Sequence, residues 1–147
     1  MAKILVIDDT KKHVAAAQTQ LEALGHEIVV RRDYAEVFRM SREDISTFDV
    51  ALIDLMMPAE TMTLGERGME YIGQSIMVGY PLSIFLAQSG VNRVVVVTDT
   101  NHHDHPASAI MDHMRPVNIN GSVVKYLHAR IIDGCKDWGA AFDELMK

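Results

Sequence analysis

Phe48-Asp49-Val50-Ala51-Leu52-Ile53-Asp54-Leu55-Met56-Met57-Pro58 is an apolar run that ends in an acid. Val50 to Ile53 carry no polar side chain, the pattern of a central parallel strand buried on both faces. Asp54 follows at the strand's carboxyl end, the edge at which open α/β sheets bind ligands, and the strand behind it holds the carboxylate rigidly. Pro58 closes the segment. A lone acid in this position would merely begin a turn, so the weight of the reading falls on what the other strands deliver.

Lys3 to Ile7 is a second apolar strand, and it ends in Asp8 and Asp9. Parallel neighbours would bring three carboxylates together, a cluster that repels itself unless a cation fills it, and all-oxygen ligands favour Mg²⁺ or Mn²⁺ over zinc. Arg93 to Val97 finishes at Thr98, a hydroxyl, and Ser122-Val123-Val124 reaches Lys125, an ammonium. Acids, hydroxyl and lysine on one sheet edge make a site for a phosphoryl group, whose oxygens the metal and the lysine would neutralise.

Between these strands lie helices. Thr10 can cap a helix over 11–24 with Val14, Ala17, Leu21 and Leu24 as its apolar face, and Gly25 stops it. Residues 26–31 read as a short strand, and Asp33 with Glu36 opens a helix to about Met40. His13 and His26 read as solvated surface residues. Repeated βα units with right-handed crossovers predict a parallel sheet covered on both faces. Pro81 suits the first turn of a helix with Leu82, Phe85 and Leu86 buried, and Gly90 its C-cap. Asp137 caps a last helix whose buried side is Trp138, Ala141, Phe142 and Leu145.

The four stretches Lys-Ile-Leu-Val-Ile-Asp-Asp at 3–9, Asp-Val-Ala-Leu-Ile-Asp-Leu-Met-Met-Pro at 49–58, Val-Val-Val-Val-Thr at 94–98 and Gly-Ser-Val-Val-Lys at 121–125 together resemble the receiver domain of bacterial two-component response regulators, of the CheY-like kind. The resemblance implies a doubly wound, flavodoxin-like α/β fold with a five-stranded parallel sheet in the order 2-1-3-4-5, as one stand-alone domain over 1–147. It implies Asp54 as phosphoacceptor, Asp8, Asp9 and Asp54 as Mg²⁺ ligands, Met56 offering its backbone carbonyl to the metal, and Thr98 and Lys125 as phosphoryl contacts. The partners it implies are a histidine kinase, a phosphotransfer protein or a small phosphodonor, and a downstream protein; the chain would be a phosphoacceptor in a phosphorelay rather than an enzyme.

Four features depart from the family pattern. Residues 59–80 form an insertion punctuated by four glycines before the third helix, either a short amphipathic segment through Met69, Ile72 and Ile76 that packs on the sheet or a partner-binding flap using Met62, Met69, Tyr71 and Met77. Tyr126 stands where the family has a proline after the lysine, so Tyr126-Leu127-His128 can continue the strand, and Asn120-Gly121 is a type I′ hairpin signal that can add a β-ribbon. Ser122 takes the position of the family's switch aromatic. Asp99 follows Thr98 where the family has a small residue; a carboxylate about 6 Å from a phosphoryl group would cost roughly 3 kcal/mol at an effective dielectric of 20, unless it faces its own loop and fixes a histidine.

The loop at His102, His103, Asp104 and His105 could hold a transition metal, although adjacent histidines lack helical i, i+4 spacing; otherwise it is a polar loop near a helix N-cap. Two further functions are therefore open: a pseudo-receiver that binds proteins without phosphotransfer, and a metal-dependent hydrolase using the acids and this loop. A net charge of -6 disfavours DNA binding. The single Cys135 suits the cytoplasm, a first strand at Lys3 leaves no room for a signal peptide, and the longest apolar run, 76–87, is too short to span a membrane.

Overall fold

The computed structural model describes residues 1–60, 65–99 and 106–147. Five parallel strands, β1 (Lys3–Ile7), β2 (Glu27–Arg31), β3 (Val50–Ile53), β6 (Arg93–Thr98) and β8 (Ser122–His128), stand in the order β2-β1-β3-β6-β8, and β7 (Val117–Ile119) adds an antiparallel sixth strand at the β8 edge. The parallel part keeps the order expected, second, first, third, fourth, fifth. In register, Ile7 lies beside Ile53 and Ile53 beside Val96, so the carboxyl ends of β1, β3 and β6 open onto one edge.

Period-two alternation divides each strand between two cores. Leu5, Ile7, Ala51, Ile53, Val94 and Val124 face one side, under α2 (Tyr34–Phe38), α3 (Arg42–Ile45) and α4 (Gly79–Gln88). Ile4, Val6, Val50, Leu52, Val95 and Val97 face the other, under α1 (Lys11–Ala23) and α6 (Trp138–Met146). Burial on both faces is why β3 and β6 read as unbroken apolar runs. Among the described residues no helix is long and apolar enough to cross a membrane.

The helices show which local signals held. Asp137 accepts from the Ala140 N–H, and the four residues assigned to the buried side of α6 are the ones buried. Asp33 caps α2 through the Ala35 N–H. On α1 the buried residues are His13, Ala17 and Leu21, at i, i+4 and i+8, while Leu24 is exposed and Thr10 makes no side-chain cap. His13, expected in solvent, is therefore a core residue. Its ring is buried because both nitrogens find partners, as the site shows below.

Beyond β3 the chain departs from regular units. β4 (Met57–Pro58) pairs antiparallel with β5 (Ser75–Ile76), and a 3₁₀ turn covers Glu66–Tyr71 between them. Met69, Tyr71 and Ile72 are exposed, so the amphipathic packing suggested by their spacing reaches the core only at Ile76; Met62 lies outside the described residues. The helix after Pro106 is short: α5 (Pro106–Ile110) passes into a 3₁₀ turn at Met111–His113. Asn120 and Gly121 both take positive φ and close the β7–β8 hairpin, as Asn-Gly predicts. β8 continues through Tyr126, Leu127 and His128, with His128 paired to Thr98. A second hairpin follows, β9 (Ile131–Ile132) and β10 (Cys135–Lys136), turning at Asp133 and Gly134, again with positive φ at both.

Gly79 fixes how closely α4 approaches β3. Its N–H donates to the Leu55 carbonyl at 3.0 Å, and a Cβ there would fall 2.3 Å from the Asp54 carbonyl oxygen and 2.7 Å from the Leu55 Cα. Both obstacles are backbone, so something must move. Gly79→Ala is expected to destabilise the protein by about 1–3 kcal/mol, as over-packing does, with a lowered midpoint in urea at unchanged slope.

Candidate functional site

Hydrogen bonds at the strand ends assemble an acidic pocket. The Asp54 N–H donates to the Ile7 carbonyl at 2.8 Å, which carries the β1–β3 register one residue past the strand and sets Asp54 beside Asp8. Carboxylate oxygens of Asp8, Asp9 and Asp54 lie within 4.8 Å of one another. Asp8 and Asp54 are buried and Asp9 is half-buried. Asp8 Oδ1 accepts from the Thr10 N–H at 2.9 Å, which fixes its rotamer and turns Oδ2 into the pocket. Three hard carboxylate oxygens at this spacing suit Mg²⁺, and the backbone carbonyl of Met56 follows two residues after Asp54.

The ammonium in this pocket is that of Lys136. Its Nζ donates to Asp8 Oδ2 at 2.7 Å and to Asp54 Oδ1 at 2.9 Å, and the residue is fully buried. Lys125, the lysine expected here, lies elsewhere: it stands in mid-strand opposite Val95, and its Nζ donates to the Glu144 carbonyl at 2.8 Å, near the end of α6. The reason is that β8 runs three residues past it. The chain then turns through β9–β10 and returns a different lysine to the same place. Strand alternation in β10 puts Lys136 inward and leaves Cys135 half-exposed.

Thr98 ends β6, buried, and its carbonyl accepts from the Ala129 N–H at 2.7 Å. Asp99 turns toward α1 and its Oδ2 meets His13 Nε2 at 2.9 Å. Sequence reasoning left both orientations of Asp99 open, and the observed one ties it to a histidine, though to His13 rather than one in its own loop. His102, His103, Asp104 and His105 lie outside the described residues. Sequence reasoning missed Lys136 and His13. For Lys136 a signal existed, since Ile131-Ile132-Asp133-Gly134-Cys135-Lys136 carries the Asp-Gly hairpin mark. For His13 none did, because its partners are 86 and 123 residues away.

No protein-family model matches the chain, and no curated protein matches its sequence. Solved structures match in fold. A response regulator receiver domain protein from Clostridium thermocellum superposes with a TM-score of 0.55 at 22% identity, over 99% of this chain and 94% of that one. RcsB from Salmonella enterica serovar Typhimurium, solved bound to the promoter rprA in the presence of the phosphomimetic BeF3-, gives 0.60 at 18% identity over 100% of both chains. A two-component response regulator from Clostridium difficile gives 0.54 at 14%, over 99% and 96%. The chain therefore has the receiver fold, an α/β sheet flanked by helices, at a sequence distance where fold alone is carried over.

The charges in the pocket are set by burial and by each other. Burial pushes the Asp54 carboxyl up to about 7, and Asp8 pushes the same way, against the opposing charge of Lys136. Burial would lower Lys136, but Asp54 and Asp8 outweigh it and hold the ammonium above its ordinary range. Asp9 is raised by burial and then by Asp8. Asp99 goes the other way: burial would raise it, yet the His13 hydrogen bond and the Lys136 charge prevail and lower it. For Asp54 the folded state binds its proton more tightly than the unfolded chain does. Its contribution to stability is thus complete below the ordinary carboxylate range and is lost as pH rises through about 7. An amide cannot ionise, so the melting temperature of Asp54→Asn measured relative to wild type should be several degrees higher at about pH 8 than at about pH 5, each pKa unit being worth about 1.4 kcal/mol. Thermal melts of both proteins at the two pH values check this.

Proposed function

We propose that this chain is a phosphoacceptor signalling domain, taking a phosphoryl group onto Asp54 from a histidine kinase, a phosphotransfer protein or a small phosphodonor. The observation that carries the reading is the buried ammonium of Lys136 held between Asp8 and Asp54, at 2.7 and 2.9 Å. An ammonium so placed serves both states of the site. Before transfer it balances carboxylates that would repel one another and the donor; during transfer it lies beside the oxygen chemistry at Asp54.

In the step itself a carboxylate oxygen of Asp54 attacks phosphorus in line. The bond from phosphorus to the donor's nitrogen or oxygen breaks, and the leaving group keeps its electron pair. Asp54 is left as an acyl phosphate. Lys136 and the Thr98 hydroxyl donate to phosphoryl oxygens. Asp8, Asp9, Asp54 and the Met56 carbonyl would hold Mg²⁺, which when bound neutralises charge on the incoming phosphoryl oxygens. The signal then passes to a downstream protein in the cytoplasm through an altered surface. Net charge of -6 keeps DNA out of this reading, although one fold neighbour was solved bound to a promoter.

Incubation with Mg²⁺ and acetyl phosphate should add the mass of one phosphoryl group, labile to hydroxylamine and absent from Asp54→Asn. Lys136→Ala should slow the reaction about tenfold or more, equal to about 1.4 kcal/mol of barrier, while Lys125→Ala leaves it unchanged. Wild-type protein that takes up no phosphoryl group would overturn the reading in favour of a protein-binding module built on the same fold. Release of inorganic phosphate from phosphate esters without any adduct would favour a hydrolase.

A further inference from the structure

His13 takes no part in that chemistry, yet it is buried and both of its ring nitrogens are engaged. The Lys136 backbone N–H points at His13 Nδ1 at 3.2 Å, and His13 Nε2 meets Asp99 Oδ2 at 2.9 Å. An amide N–H can only donate, so Nδ1 must be the bare, accepting nitrogen; Nε2 then carries the proton and donates it to Asp99. One tautomer satisfies both contacts, and the Asp99 carboxylate selects it.

The Lys136 peptide is held on its other side as well. Its carbonyl accepts from Gln20 Nε2 at 3.0 Å, and Gln20 Oε1 accepts from the Trp138 N–H at 2.7 Å. His13 and Gln20 are seven residues apart, two turns along one face of α1. Trp138 Nε1 in turn donates to the His13 carbonyl at 2.8 Å, and the Lys136 ammonium stands 5.1 Å from the centre of the Trp138 ring. Strands of two residues, such as β9 and β10, form no stable hairpin by themselves. The place of Lys136 is therefore set by what grips it.

We propose that His13, held in its Nε2–H tautomer by Asp99, is a positioning residue that with Gln20 clamps the Lys136 peptide and so sets the ammonium between Asp8 and Asp54. Its consequence for phosphotransfer rests on the function proposed above; the clamp itself does not. A clamp on the peptide differs from a mere core filler in what it tolerates. Asparagine puts an acceptor oxygen where His13 Nδ1 lies and keeps the bond to Lys136, whereas glutamine reaches the Nε2 position and loses it.

Trp138 is the only tryptophan, so its emission reports on the ammonium without any phosphodonor. Lys136→Met should change the emission, His13→Gln should change it in the same direction, and His13→Asn should leave it near wild type. With acetyl phosphate and Mg²⁺, His13→Gln should slow phosphorylation about tenfold while His13→Asn stays within about threefold, with Mg²⁺ affinity within about threefold in both. Nitrogen-15 spectra of wild type should show His13 protonated at Nε2 and bare at Nδ1, and Asp99→Ala should lose that preference. A wild-type ring protonated at Nδ1 would overturn the proposal even if every variant failed to fold. So would emission unchanged in His13→Gln, or asparagine and glutamine variants that are impaired alike. If wild type takes up no phosphoryl group, the functional reading fails, and emission with the ring spectra still decides the clamp.

Discussion

The ammonium of Lys136 between two buried carboxylates is the contact on which the carboxyl edge of this sheet depends. Removing an ion from water costs several kcal/mol even after a protein relaxes around it, and three ions are removed here. The arrangement holds only because each helps the others. Asp8 and Asp54 keep Lys136 charged in a place where burial alone would neutralise it. Lys136 in turn restrains the rise that burial and mutual repulsion impose on Asp54. Once Asp9 is counted the cluster holds three carboxyl groups to one ammonium, a composition that a divalent cation would complement.

Delivering those three groups takes three different devices. β1 and β3 bring the two acids as direct extensions of buried parallel strands, and the bond from the Asp54 N–H to Ile7 continues the ladder beyond the last paired residue. Gly79 lets α4 close against the backbone of Asp54 and Leu55, where any side chain would meet main-chain atoms. The lysine comes by a longer route, through a hairpin that leaves the sheet after β8 and folds back onto α1.

The same division explains what could be read from the residues alone. The strands were legible because burial on both faces demands unbroken apolar runs, and Asp8, Asp9 and Asp54 were legible because they end those runs. Lys125 would reach the acidic edge only if its strand stopped there. Tyr126 and Leu127 are good strand formers, and pairing along β6 as far as Thr98 carries β8 past the lysine, which leaves it opposite Val95. An apolar face drawn from aliphatic positions alone leaves His13 in solvent. Leu21 and Ala17 serve either face, and the choice between Val14 and His13 was settled by Asp99 and Lys136, contacts that no local pattern contains. Met69, Ile72 and Ile76 have helical spacing, but only Ile76 finds a surface to use it, and Met69 and Ile72 stay exposed.

Carrying the lysine on a hairpin changes what its position depends on. A lysine at the end of a sheet strand inherits the rigidity of the ladder; one on a two-residue strand depends on side chains that dock it, and such segments open at lower cost than a core strand does. Here the docking falls to α1, through His13 and Gln20, and Asp99 meets His13 instead of facing the acidic pocket alone. Asp99 still adds to the field that raises Asp54, so its placement is a compromise. The carboxylate that would oppose an incoming anion also selects the tautomer that keeps the compensating ammonium in the pocket. Removing it therefore takes away a repulsion and a support together, and the support acts over two hydrogen bonds of 2.9 and 3.2 Å whereas the repulsion acts through a half-exposed, water-screened side chain.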